Sequence, residues 1–120
     1  MKINYNQLDK SNKSFYIVEG IYPIESDKNS TWIWTSTTVV GIVSNIQYVS
    51  IQATSEIDNI LTYDGADMDI KSNCLNIIKL DTVGKTEFQF SLKNVFNVPT
   101  DDRNLGIMIK GIIVDGEKIY

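Results

Sequence analysis

From Thr86 to Leu92, apolar and polar residues alternate without a break. Phe88, Phe90 and Leu92 share one face of an extended chain, and Glu87, Gln89 and Ser91 share the other. That two-residue period predicts a half-buried antiparallel strand. Short β-branched and aromatic runs bounded by turn residues recur along the rest of the chain. Phe15–Gly20 is the first, and Pro23 makes the following Tyr22–Glu25 segment a strand end or sheet edge. Thr31–Thr35 places Trp32 and Trp34 on one face and Thr31, Ile33 and Thr35 on the other. Thr37–Val43 continues extended, and Ser44-Asn45 separates it from Ile46–Ala53, whose two alternating sets are both mixed, so its facing stays open. Ile60–Tyr63 ends in the turn dipeptide Asp64-Gly65. Met68–Lys71, Cys74–Leu80 and Val95–Val98 are further extended segments. Leu105–Val114 reads as one long closing strand, with Leu105, Ile107, Ile109 and Gly111 alternating with Gly106, Met108, Lys110 and Ile112. Asp115-Gly116 then reverses the chain.

No window shows sustained helical spacing of apolar residues. Short strands at regular intervals with turns between them predict an all-β fold, an antiparallel β-sandwich of jelly-roll-like arrangement. Residues 1–14 are mixed and polar, and are expected to form an N-terminal arm; residues 15–120 form a single domain.

Charge narrows the function classes. The net charge of −4 argues against nucleic acid as a partner and against attraction to anionic lipid. The charge is uneven: residues 31–70 hold no Lys or Arg but carry Glu56, Asp58, Asp64, Asp67 and Asp69. Asp64, Asp67 and Asp69 lie within six residues, but their spacing is not that of an EF-hand and two of them flank a turn, so the run reads as a solvated hairpin loop. No cofactor and no metal is expected.

The chain has no histidine. Ser-His-Asp and Cys-His nucleophile systems, histidine zinc sites and histidine bases are therefore excluded. Cys74 is the single cysteine, so there is no intrachain disulfide; its place in Cys74–Ile78 reads as a buried structural thiol. Met1–Gln7 lacks the apolar core of a signal peptide and no apolar run reaches membrane-spanning length, so the expected location is cytoplasmic, without membrane insertion.

Three features carry candidate chemistry. Trp32 and Trp34 on one strand face stand ~7 Å apart, the spacing of a platform on which a sugar ring stacks; the competing reading puts both in the core between sheets. Arg103, the only arginine, suits bidentate binding of a carboxylate ligand, or an internal ion pair with an acid such as Glu25 that braces two distant loops. Glu19, Glu25, Glu56 and Glu87 could supply a glycosidase pair, but no spacing singles one out, and the chain is not expected to be an enzyme.

Three motifs stand in order. Gly20-Ile21-Tyr22-Pro23-Ile24-Glu25 fits G-x-Y-x-x-E, Trp32-Ile33-Trp34-Thr35 fits W-x-W-[ST], and Asp101–Ile107 fits D-x-R-x-L-G-[IV]. Together they resemble small β-sandwich modules that accompany bacterial glycosyltransferases and methyltransferases of cell-surface polysaccharide assembly. The resemblance implies a non-catalytic accessory module that contacts carbohydrate, with Tyr22, Glu25, Trp32, Trp34, Asp101 and Arg103 as the matching positions. It implies a glycan as ligand and a glycosyltransferase as partner. The remaining alternatives are a structural or interaction sandwich that self-associates, and a carboxylate-pair hydrolase.

Overall fold

The computed structural model describes residues 3–6, as backbone, and residues 13–120. Every regular element in the described residues is a strand: β1 (Ile3–Asn6), β2 (Ser14–Ile21), β3 (Glu25–Ser26), β4 (Thr31–Ser44), β5 (Tyr48–Thr54), β6 (Asn59–Tyr63), β7 (Ala66–Ile70), β8 (Asn76–Asp81), β9 (Glu87–Leu92), β10 (Phe96–Val98), β11 (Asp101–Leu105), β12 (Met108–Val114) and β13 (Glu117–Lys118). All pairings are antiparallel. Of the expected N-terminal arm, residues 3–6 form an edge strand on β2, and residues 1–2 and 7–12 lie outside the described residues.

The two tracts Thr31–Thr35 and Thr37–Val43 are one strand, and that strand organises the molecule. The later part of β4 pairs with β2 and β9, and its start pairs with β3 and β12. One sheet therefore runs β1-β2-β4-β9-β6-β7, and the other runs β3-β4-β12-β5-β8. From β5 onward the chain passes back and forth between the two sheets, as in a jelly roll. β10 and β11 form a separate hairpin.

Between the sheets lies the apolar face of each strand. Phe88, Phe90 and Leu92 of β9 point inward as their alternation requires, and Phe15 stacks on Phe88 at 5.8 Å. In β5 the buried set is Val49, Ile51 and Ala53. The alternative facing would have buried Ser50 and Gln52, whose polar groups have no partner between two apolar layers.

The closing strand departs from the sequence reading in two ways. It is broken at Gly106-Ile107, where the chain crosses β4: the Thr35 N–H donates to the Ile107 carbonyl at 2.9 Å and the Gly106 N–H donates to the Thr35 carbonyl at 2.7 Å. Beyond the break, a bulge between Ile109 and Gly111 shifts the register against β5. Ile109, Ile112 and Val114 are therefore all buried, which strict alternation does not allow.

Cys74 is exposed, contrary to the buried-thiol reading. The chain turns just before β8, with Asn73 in the left-handed region and the Asn76 side chain bonded to the Lys71 N–H and carbonyl. The run 74–78 is thus not one core strand: only Ile78 points inward, while Leu75 and Ile77 face solvent.

Asp115 is a charged anchor at the far end of the closing strand. It opens a turn with Gly116, both at positive φ, as Asp64-Gly65 does between β6 and β7. Its carboxylate accepts from the Gln47 N–H at 2.9 Å, the Tyr48 N–H at 3.0 Å and Lys13 Nζ at 2.7 Å. Burial raises the Asp115 pKa, but these three donors outweigh it and leave the carboxyl below the ordinary aspartate value.

Candidate functional site

Tyr22, Glu25, Trp32, Trp34 and Arg103 come together at one end of the second sheet. Arg103 is the centre. Asp101, two residues before it on β11, accepts from Nε at 2.9 Å and from Nη2 at 2.6 Å. Glu25 on β3 accepts from Nη1 at 3.1 Å. The Tyr22 ring lies 5.2 Å from the guanidinium carbon, and its hydroxyl donates to the Asn104 carbonyl at 3.1 Å. Two residues apart on one strand, Asp101 and Arg103 point the same way, and β3, which pairs with β4, supplies the second carboxylate.

Hydrogen bonds to Asp101 first, and to Glu25 second, hold the Arg103 pKa above its ordinary value. The same Arg103 side chain, helped by its own backbone N–H, lowers the pKa of Asp101. The fork of the guanidinium is thus filled by two internal carboxylates. As the brace reading expected, Arg103 ties the hairpin β10–β11 to the Tyr22–Glu25 segment.

Trp32 and Trp34 share a face, but it is the outer face of the sheet and not the face between the sheets. Ile33 and Thr35 between and beside them point into the core. The β10–β11 hairpin folds over the outer face and covers Trp34, which stacks on Phe96 at 6.4 Å and is only 7% exposed. The two indoles therefore form no shared platform. Trp32, half-buried, lies past the rim of the hairpin. Its cross-strand partner is Glu25, and Lys110 Nζ sits 5.2 Å from its ring. On the opposite face of β4, the Tyr120 hydroxyl donates to Thr31 Oγ1 at 3.1 Å.

Sequence reasoning missed Phe96 and Lys110. The signal for Lys110 was present: a lone cation in an apolar strand whose register against β4 carries it to Trp32. The signal for Phe96 was absent, because nothing local says that a hairpin will fold over the outside of a sheet.

The other candidates stay apart. Glu19, Glu56 and Glu87 are exposed on β2, the β5–β6 loop and β9. In the acidic run, Asp64 pairs with Lys85 at 3.2 Å and Asp67 accepts from Thr62 Oγ1 at 2.7 Å. Among the described residues no group of three or more acids or cysteines is placed to hold a metal ion. In comparisons with known proteins, no family model, no curated protein and no solved structure matches the chain.

Proposed function

We propose that this protein is a non-catalytic, carbohydrate-associated binding module whose contact surface is centred on Trp32. The observation that carries the reading is the position of that indole. It is partly exposed on the outer face of a sheet, with the Glu25 carboxylate and the Lys110 ammonium beside it. A pyranose presents an apolar face of C–H groups and a rim of hydroxyls. An aromatic ring flanked by donors and acceptors matches both. Arg103 acts at one remove, by fixing Glu25, and Trp34 acts by seating the hairpin. The motif resemblance adds the biological setting, cell-surface glycan assembly beside a glycosyltransferase.

Isothermal titration against a panel of neutral and acidic bacterial glycans tests the proposal. The expected result is binding by the native chain that is lost in Trp32→Ala while far-ultraviolet circular dichroism stays unchanged. Silence across the panel, or binding unaffected by Trp32→Ala, overturns it.

A further inference from the structure

Among the described residues no strand pairs with the outer side of β7 or of β8, and these two edges are built differently. On β7, Asp67 and Asp69 are exposed, and such charge keeps other strands from adding on. β8 also carries exposed charge, at Lys79 and Asp81, but of opposite signs. From Ile77 to Val83 exposure alternates strictly: Ile77, Lys79, Asp81 and Val83 face solvent, at 61% and 64% for the two apolar ends, while Ile78, Leu80 and Thr82 are buried. Pairing with β5 directs the backbone groups of the buried set toward that strand, as the Thr82 N–H to Gln47 carbonyl bond at 2.9 Å shows. The N–H and C=O groups of Ile77, Lys79 and Asp81 therefore point to the open edge.

We propose that this edge is a self-association strand, on which a second copy of the chain pairs antiparallel about a twofold axis at Leu80. The sequence Ile77-x-Lys79-x-Asp81-x-Val83 is self-complementary in that register. Lys79 stands opposite Asp81 of the partner subunit and Asp81 opposite Lys79 of the partner subunit, with Ile77 and Val83 closing each end against their apolar counterparts. Other registers lack this match. Centring on Lys79 sets ammonium against ammonium, and centring on Ile78 sets Ile77 against Lys79.

The hydrogen-bonded part of the pairing is short and falls at Lys79 and Asp81. The Asp81 carbonyl already accepts from the Tyr63 hydroxyl and keeps one lone pair for a second donor. The Val83 N–H is held by the Asp81 carboxylate at 2.9 Å. Charge and apolar contacts consequently decide both affinity and register. This inference is independent of the glycan reading, because β8 lies on the opposite edge of the sheet from β3 and Glu25.

Sedimentation velocity on the full chain, with circular dichroism as the fold control, tests it. The native chain is expected to be dimeric at about 100 μM, with Lys79→Asp and Asp81→Lys each weakening the dimer at least about tenfold by placing like charges in opposition. An equimolar mixture of the two variants is expected to dimerise again, since each supplies the charge that the other has reversed. Ile77→Lys leaves the Asp81 turn intact and is expected to lose the dimer as well. A native chain that stays monomeric at about 0.5 mM, variants that dimerise as the native chain does, or a mixture that fails to associate overturns the proposal.

Discussion

Arg103 Nη1 lies 3.1 Å from the Glu25 carboxylate, 78 residues away in the chain. This contact ties the β10–β11 hairpin to β3, while the shorter one to Asp101 lies within β11 and orients the guanidinium. Both partners are partly solvated, which limits the energy of the pair. Glu25→Gln is expected to cost ~0.5 kcal/mol in urea unfolding, since it removes only the weaker contact. Arg103→Lys is expected to cost more than Glu25→Gln, because a single ammonium lacks the planar fork that meets both Asp101 oxygens. Equal midpoints for the two variants would show that Asp101 contributes nothing beyond Glu25.

Thr35 and Gly106 make a close backbone crossing. A Cβ on Gly106 would fall 2.4 Å from Leu92 Cδ1 and 2.6 Å from the Ser36 carbonyl, and the carbonyl has no room to move. Gly106→Ala is expected to destabilise by about 2 kcal/mol. Thr35 is fully buried and its Oγ1 accepts from the Ile107 N–H at 3.0 Å. Thr35→Val leaves that donor unpaired and is expected to cost ~1–3 kcal/mol. Thermal unfolding of both variants checks the crossing.

Asp115 makes acid stability measurable at one residue. Its folded-state pKa lies below the ordinary value of 3.8, so the unfolded chain takes up the proton first as pH falls. The Asp115 contribution is therefore fully present above the unfolded value, and is lost as pH drops through the folded one. The unfolding free energy of the native chain should fall steeply below about pH 4. Asp115→Asn is expected to start lower near neutral pH and to show a shallower acid limb. A limb of unchanged slope would place the acid sensitivity elsewhere.

Strand existence was legible in the sequence because the two-residue period is a local property. β9 and both Asp-Gly turns follow from their own residues alone. The Arg103–Glu25 brace was legible for a different reason: a single arginine has few ways to be satisfied. The rest depended on context that no local window holds. The break at Gly106-Ile107 exists because β12 must cross β4. The bulge at Lys110 resets a periodicity that reads as unbroken. The indole pair was open to a platform or a core reading, and the hairpin that separates the two rings produces neither.

Cys74 gives a direct check on the turn before β8. Cys74 is exposed, and its thiol approaches the Lys71 carbonyl at 3.6 Å. A thiol reagent such as Ellman's compound is expected to modify it stoichiometrically in the native protein, at a rate within about tenfold of a free cysteine. Modification that requires denaturant would restore the buried reading and remove the outward facing of Leu75 and Ile77 with it.

The two tryptophans should behave as different residues in solution. Trp34 is sealed under Phe96, so Trp34→Ala opens a cavity and frees the hairpin, at an expected cost of about 3–5 kcal/mol. Trp32 is partly exposed, and Trp32→Ala should cost about 1 kcal/mol. Fluorescence separates them without perturbing the backbone. In Trp34→Phe the remaining Trp32 emission should be red-shifted and readily quenched by acrylamide, and in Trp32→Phe the remaining Trp34 emission should be blue-shifted and protected. If both single-tryptophan chains quench alike, the hairpin does not cover the outer face in solution, and a two-indole platform becomes available again.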